Sequence, residues 1–329
     1  MGTGETASAR SVITSRPWTR LEFPRPGPSL DNPLARWQTA HVPYTKLEEL
    51  RRLLRSFGSC VTAYSGGVDS AFLALVAHQE LGARALAVIA DSPSLPRSEL
   101  AEAVELATRF GFALRVVTTR EFDNPAYLAN PQNRCYFCKH SLFEELAPLA
   151  QREGFAVLAY GENASDLGDH RPGARAAAEF QVRAPLRDTG MTKAEIRTLS
   201  ALLGLPTADK PQLACLSSRI PYGEEVTREK LAMIESAEAC LRAQGFVDVR
   251  VRHHEIRGGA LARLEIGTAE LPRILTEGRQ ALVAQRLREI GYSQVTLDLL
   301  GYRRGSANET PLPTRTLPAH VTQHAPLPA

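Results

Sequence analysis

The chain has 329 residues, 43% hydrophobic and 23% charged, enough for about two domains that each bury a core. A net charge of +3 is too small for general nucleic-acid binding, and no run approaches the ~20 apolar residues of a membrane span. Five cysteines cannot all pair as disulfides, and the N-terminus lacks the apolar core of a signal peptide, so a cytoplasmic protein is expected.

Residues 1–42, rich in Pro, Arg and Ser, are read as a poorly ordered extension, and 305–329 as a disordered tail. Between them, "TKLEELRRLLRSFG" has leucines at helical spacing, and "CVTAY" reads as a short buried strand. Helix "AFLALVAHQELG", strand "ARALAVIAD", helix "RSELAEAVELATRFG", strand "ALRVVTT", helix "KHSLFEELAPLAQREG" and strand "AVLAYG" follow. A polar loop runs to about residue 175, and helix "TKAEIRTLSALLG" comes after it. This alternation predicts a doubly wound parallel sheet over 43–221. From 222 to 304 the order becomes helix, two strands, a helix over "LPRILTEGRQALVAQRLREIG" and a last strand, a second, smaller α/β domain.

Four stretches carry chemistry. "SGGVDS" sits between a buried strand and an apolar helix, where Gly66 and Gly67 let backbone amides approach an anion. Ser65 and Ser70 offer hydroxyls, and Asp69 could hold Mg²⁺ through oxygen or water. No Walker lysine follows, which disfavours γ-phosphoryl transfer. "NPQNRCYFCKHSLF" places Cys135 and Cys138 at a helix start, as a redox couple, half a zinc site or part of an iron–sulfur site. "YGENASDLGDHRPG" follows a strand end, where open parallel sheets bind ligands, and brings Gly161, Asn163, Asp166, Asp169 and Arg171 together. "ACLSSRIPYGEEVT" sets Cys215 beside Ser217, Ser218 and Arg219. Those residue types leave it open between a buried structural thiol and a reactive one. Cys60 and Cys240 are read as core thiols.

In "VDVRVRHH", Arg250, Arg252 and His254 share one face of a strand, and Arg263 and Glu265 alternate on the next strand. A cationic face suited to carboxylates and phosphate is expected, against the alternative of a solvated outer surface.

The glycine loop resembles that of the PP-loop ATP pyrophosphatases, which split ATP between its α- and β-phosphates; the resemblance puts Asp91 and Ser92 near the base or ribose. Taken with "GMTKAEIR", "LGLPTADKP" and "ACLSSRIPYGEEVT", the chain from about 45 to 303 resembles the LarE family of ATP-dependent sulfur transferases. These act in the synthesis of the nickel-pincer nucleotide cofactor. The resemblance implies adenylation of a carboxylate of a pyridinium dicarboxylate mononucleotide and its conversion to a thiocarboxylate. It also implies ATP and Mg²⁺ as cofactors, a homo-oligomer, and substrate or subunit contacts by Arg250, Arg252 and Glu238. It leaves two sulfur sources open. Cys215 could surrender its own sulfur and become dehydroalanine, or Cys135, Cys138 and Cys215 could hold a [4Fe–4S] cluster carrying sulfide. Rival readings are a tRNA sulfur transferase and a non-catalytic nucleotide-binding module.

Overall fold

The computed structural model describes residues 33–166, 172–211, 214–276 and 278–303, with secondary structure alone for 33–42. The expectations for residues 1–32, Asp169, Arg171 and the tail lie outside these residues. The chain divides into two compact units after Glu235.

The first unit opens on α1 (Pro33–Phe57), which begins inside the stretch read as an extension. There follow β1 (Cys60–Ala63), α2 (Val68–Leu81), β2 (Ala85–Asp91), α3 (Arg97–Phe110) and β3 (Leu114–Thr118). Then come α4 (Pro125–Leu128), α5 (Arg134–Arg152), β4 (Val157–Tyr160), α6 (Pro172–Glu179), α7 (Pro185–Asp188) and α8 (Lys193–Leu202). The four strands form an all-parallel sheet in the order β3-β2-β1-β4. Alternation along β2 feeds both faces. Ala85, Ala87 and Ile89 enter the core with Leu54, Phe72 and Ile196, while Leu86 and Val88 pack with Phe143, Leu146 and Ala176. A strand buried on both sides reads as a continuous apolar run, as here. Helices α1, α2, α3 and α8 thus cover one face, and α5 and α6 the other.

The strand order reverses between β1 and β4. Ligands of open parallel sheets bind at the carboxyl ends of the strands at such a switch point.

Helix α9 (Arg228–Ala243) straddles the division. The sequence reading placed the boundary at 221/222. The compact units instead part within α9, because Val226, Leu231 and Ile234 belong to a core with Tyr127, Leu216 and Ile220.

The second unit holds β5 (Val249–Ile256), β6 (Gly259–Ile266), α10 (Leu271–Ile274), α11 (Arg279–Ile290) and β7 (Gln294–Leu297). β6 pairs antiparallel with β5 and parallel with β7. The helix predicted as continuous over 271–291 is two, since Gly278 leaves helical geometry at φ +69°. Among the described residues no helix is long and apolar enough to cross a membrane.

Candidate active site

At the switch point the chain leaves β1 through Tyr64 and enters α2. Gly66 takes φ +71°, and a methyl group there would stand 3.0 Å from Ala103 Cβ on α3. Glycine therefore satisfies both the backbone conformation and the close approach. Gly67 caps α2 without a side-chain ligand, so the first-turn amides are open to an anion. The Ser65 and Ser70 hydroxyls lie 3.0 Å apart, Ser65 N donates to Ser70 Oγ at 3.1 Å, and Ser70 Oγ donates to Gly67 O at 3.1 Å. Beyond β4, a methyl group on Gly161 would fall 2.9 Å from Ser70 N, so the two loops touch. Between them lies a cavity of about 180 Å³ lined by Ser65, Gly67, Asp69, Ser70, Lys139, Tyr160, Gly161 and Glu162, among others.

Charged groups surround this cavity. Lys193, the first residue of α8, pairs with Asp69 Oδ2 at 2.5 Å. A lysine distant in sequence thus brings a cation to a loop that has none of its own. Lys139 Nζ lies 4.6 Å from the Tyr160 ring centroid, and a Cβ on Gly173 would meet the lysine stem at 2.5 Å. Glu162 accepts from Tyr160 OH and Arg187 Nη1, both at 2.6 Å. Asn163 is buried; its N–H donates to Asp166 Oδ2 at 3.2 Å and its Oδ1 accepts from Ser165 N at 2.9 Å. Asn163 Nδ2 has no hydrogen-bond partner among the described residues, a buried donor left for a ligand to satisfy.

The residues expected near the nucleoside have partners within the protein. Asp91 is ion-paired with Arg97, whose Nη2 also donates to Ser92 O at 2.6 Å. Ser92 is buried and its hydroxyl donates to Glu121. In this structure both side chains serve the β2–α3 loop.

Cys135 and Cys138 both feel the Cys215 thiol. Cys135 and Cys138 occupy the first turns of α5, and Cys215 precedes the short helical turn Leu216–Arg219. Burial, then the Cys215 thiol, pushes both Cys135 and Cys138 upward; Glu121 adds to the effect on Cys138. Arg134 opposes it from the same turn. The Cys215 segment is pinned from several sides. Ser217 Oγ meets Ser94 Oγ at 2.7 Å and Tyr127 OH at 2.8 Å, and Leu216 N donates to Ser94 O at 2.8 Å. Ser218 Oγ donates to Cys215 O at 2.7 Å. Arg219 is buried, and its Nη1 donates to the carbonyls of Ala214 and, at 2.8 Å, Cys215. It braces the backbone around the thiol. Arg134 interacts with the thiols of both Cys215 and Cys135, and Lys139 acts on Cys135 as well.

In the second unit the basic strand is not a row of unpaired cations. Arg252 pairs with Glu265 at 2.9 Å, and Arg263 pairs with Glu265 at 3.2 Å and Asp298 at 2.9 Å. Arg250 is buried with its guanidinium 4.9 Å from the Tyr302 ring centroid. Register explains this: Arg252 stands opposite Arg263, and Arg250 opposite Glu265, so one carboxylate sits within reach of all three. His254 shares the face, and burial followed by Arg263 and Arg252 lowers its pKa. Glu238 is buried, accepting from Val251 N at 3.2 Å and Arg242 at 2.8 Å. It takes an N–H of the edge strand β5 that no neighbouring strand pairs.

No family model matches the chain. It is 44% identical over 264 residues to an uncharacterized protein of Synechocystis sp., covering 80% of this chain and 97% of that one. It is 32% identical over 267 residues to pyridinium-3,5-bisthiocarboxylic acid mononucleotide synthase of Lactiplantibacillus plantarum, covering 81% and 95%. The chain belongs to this LarE family. A weaker match, 26% over 219 residues, links 60% of the chain to 67% of a glutamine-hydrolyzing GMP synthase component of Methanopyrus kandleri.

In this LarE-family chain the sequence reading found the loop and the cysteines but missed Asn130, Arg134, Lys139, Glu162 and Lys193. Lys139 and Arg134 flank the Cys-x-x-Cys pair, and their positions in the first turns of α5 were the available signal. Lys193 lies in "GMTKAEIR", one of the stretches that carry the resemblance, but nothing local ties that lysine to a loop so far away in sequence. Cys60 is a core thiol pushed up to about 12 by burial. Cys240, read the same way, is only half-buried. The donor set suits an iron–sulfur cluster in kind, with three thiols and a buried cation beside them. Among the described residues, however, no three His, Cys, Asp or Glu side chains form a closed metal-holding group.

Proposed function

We propose that this chain is an AMP-forming, ATP-dependent sulfur transferase that converts a carboxylate of a pyridinium dicarboxylate mononucleotide to a thiocarboxylate. The observation that carries the reading is that α5 serves two places at once. Lys139 lines the cavity at the glycine loop, while Cys135 and Cys138, within one turn of it, interact with Cys215. Family membership and the match to a GMP synthase component support nucleotide chemistry. The cavity is smaller than the ~300–1,000 Å³ of most ligand sites, which suits a polyphosphate end better than a whole nucleotide.

In this reading the Ser65–Ser70 loop and Lys139 bind the phosphates, and Asp69 holds Mg²⁺ when the metal is present, neutralising the pyrophosphate charge. A substrate carboxylate oxygen attacks the α-phosphorus and pyrophosphate leaves. The acyl adenylate then has AMP as its leaving group, and a sulfur nucleophile attacks the carbonyl carbon. Cys215 supplies that nucleophile, with Ser218 and Arg219 fixing the backbone that carries it. AMP leaves as the thioester forms, and loss of the Cys215 α-proton then breaks the Cβ–S bond, releasing the thiocarboxylate and leaving dehydroalanine. Arg250, Arg252 and Arg263, partly balanced by Glu265, bind the substrate's carboxylates and phosphate.

A second reading is favoured by the effect of the Cys215 thiol on both Cys135 and Cys138. Cys135, Cys138 and Cys215 would hold a [4Fe–4S] cluster whose open iron carries sulfide, sparing the protein's own sulfur. Anaerobic purification, iron analysis and intact mass before and after turnover separate the two. Loss of the elements of H₂S from an iron-free chain supports sacrifice, and bound iron with unchanged mass over several turnovers supports the cluster. Sulfur transfer surviving Cys215→Ala removes both.

A further inference from the structure

Asn130 and Arg134 are wired into the Cys215 segment more thoroughly than a turn before a helix requires. Asn130 is fully buried and holds φ +52°, a left-handed conformation that glycine adopts without strain. What asparagine adds there is its amide. Nδ2 donates to Pro221 O at 2.7 Å and to Ile220 O at 3.3 Å, and Oδ1 accepts from Arg134 Nη1. The same Nη1 donates to Ser217 O at 3.1 Å. Two side chains from the start of α5 therefore hold three carbonyls of residues 217–221, just past Cys215. The backbone continues the seam, with Gly223 N donating to Asn130 O at 3.0 Å and Val226 N to Leu128 O at 2.9 Å.

Arg134 is 4% exposed and pairs with no carboxylate among the described residues. A buried cation ordinarily has a counter-ion. The ionisable groups it interacts with are the thiols of Cys215 and Cys135 and the phenols of Tyr127 and Tyr222, whose ring centroid lies 5.9 Å away. An apolar seam would let the segment slide, whereas directed bonds to the carbonyls of Ser217, Ile220 and Pro221 fix its register.

We propose that Asn130 and Arg134 are positioning residues that dock the Cys215 segment on the first turn of α5, presenting its thiol to Cys135 and Cys138. This rests on the three thiols forming one reactive centre, and not on the identity of the substrate or on adenylation.

Arsenite tests it. Arsenous acid exchanges three hydroxyls for three thiol sulfurs, releasing three waters with no change in oxidation state, so it reports whether three thiols reach one atom. Reduced full-length protein is treated with arsenite, the remaining thiols are alkylated with N-ethylmaleimide, and protection is read for each cysteine by peptide mass spectrometry. In the wild type Cys135, Cys138 and Cys215 are protected together. Arg134→Met and Asn130→Gly keep Cys135 and Cys138 protected but need at least about tenfold more arsenite to protect Cys215. Arg134→Lys, which keeps the charge and loses the fork, falls between them. Circular dichroism checks each fold. Asn130→Gly, which tolerates the left-handed turn, carries the test if Arg134→Met unfolds. The proposal is overturned if Cys215 stays unprotected in the wild type, or if all three stay protected in both variants at wild-type arsenite. Failure of AMP formation in a protein whose thiols respond as stated would overturn the function proposed above, leaving the positioning role intact.

Discussion

The glycines at the switch point show how much the site depends on single atoms. Gly161 has no room for a side chain, since a methyl group would sit 2.9 Å from Ser70 N and 3.1 Å from Ser70 Cα, both backbone atoms. Gly161→Ala must therefore push the β4 loop away from α2, at about 1–3 kcal/mol in stability. The loss of AMP-forming activity should exceed what the fall in melting temperature accounts for, because the displaced surface lines the cavity. An unchanged AMP-forming rate would break the link between the cavity and adenylation. "SGGVDS" was legible because its glycines answer to local backbone rules. Gly161 was legible as part of a ligand-binding loop, but its close approach to Ser70 was not, because Ser70 lies on α2, far off in sequence.

Elements meet through charged clamps that sequence periodicity does not display. At the start of α8, Thr192 and Glu195 form a capping box, and Lys46 of α1 donates to both Glu195 oxygens at 2.8 and 2.9 Å. Burial works to raise the Glu195 pKa, but the Lys46 ammonium and the Thr192 donors outweigh it and hold it below 4.5. A carboxylate depressed in the folded state contributes stability above its ordinary pKa and loses it as pH falls through the folded value. Glu195→Gln should cost about 1 kcal/mol at neutral pH. The gap to wild type should shrink as pH drops below 4.5 and vanish beneath the folded pKa, as followed by denaturant melts. A gap that persisted in acid would assign the effect to shape, not charge. Lys193 stands beside this cap and reaches Asp69, so the capping box also fixes a cation at the glycine loop.

At the scale of the whole molecule, the boundary between the units decides which residues build the thiol site. Val226, Leu231 and Ile234 are at most 1% exposed and share a core with Tyr127, Leu216 and Ile220, beneath the Cys215 segment. Each contributes about 1.5–3 kcal/mol of burial. A fragment ending at residue 221 should melt well below one ending at residue 235, and its Cys215 should alkylate faster. Equal melting temperatures would place the boundary back at 221. The change in element order near 222 was real, but it does not mark where a core ends.

By itself the sequence determined what local chemistry controls: the β–α alternation, the glycine loop and the Cys-x-x-Cys helix start. Backbone sterics and residue periodicity act over a few positions, so they can be read along the chain. The break at Gly278 escaped because helical spacing on either side, Leu271 to Leu275 and Ala281 to Ile290, was read as one run across the polar 276–280. Tertiary structure alone decided the rest. It gave Lys193 to Asp69, tied Asn130 and Arg134 to the Cys215 segment, and paired Arg252 and Arg263 with Glu265 and Asp298. Buried charges must find partners wherever the fold brings them, and that search does not follow sequence distance.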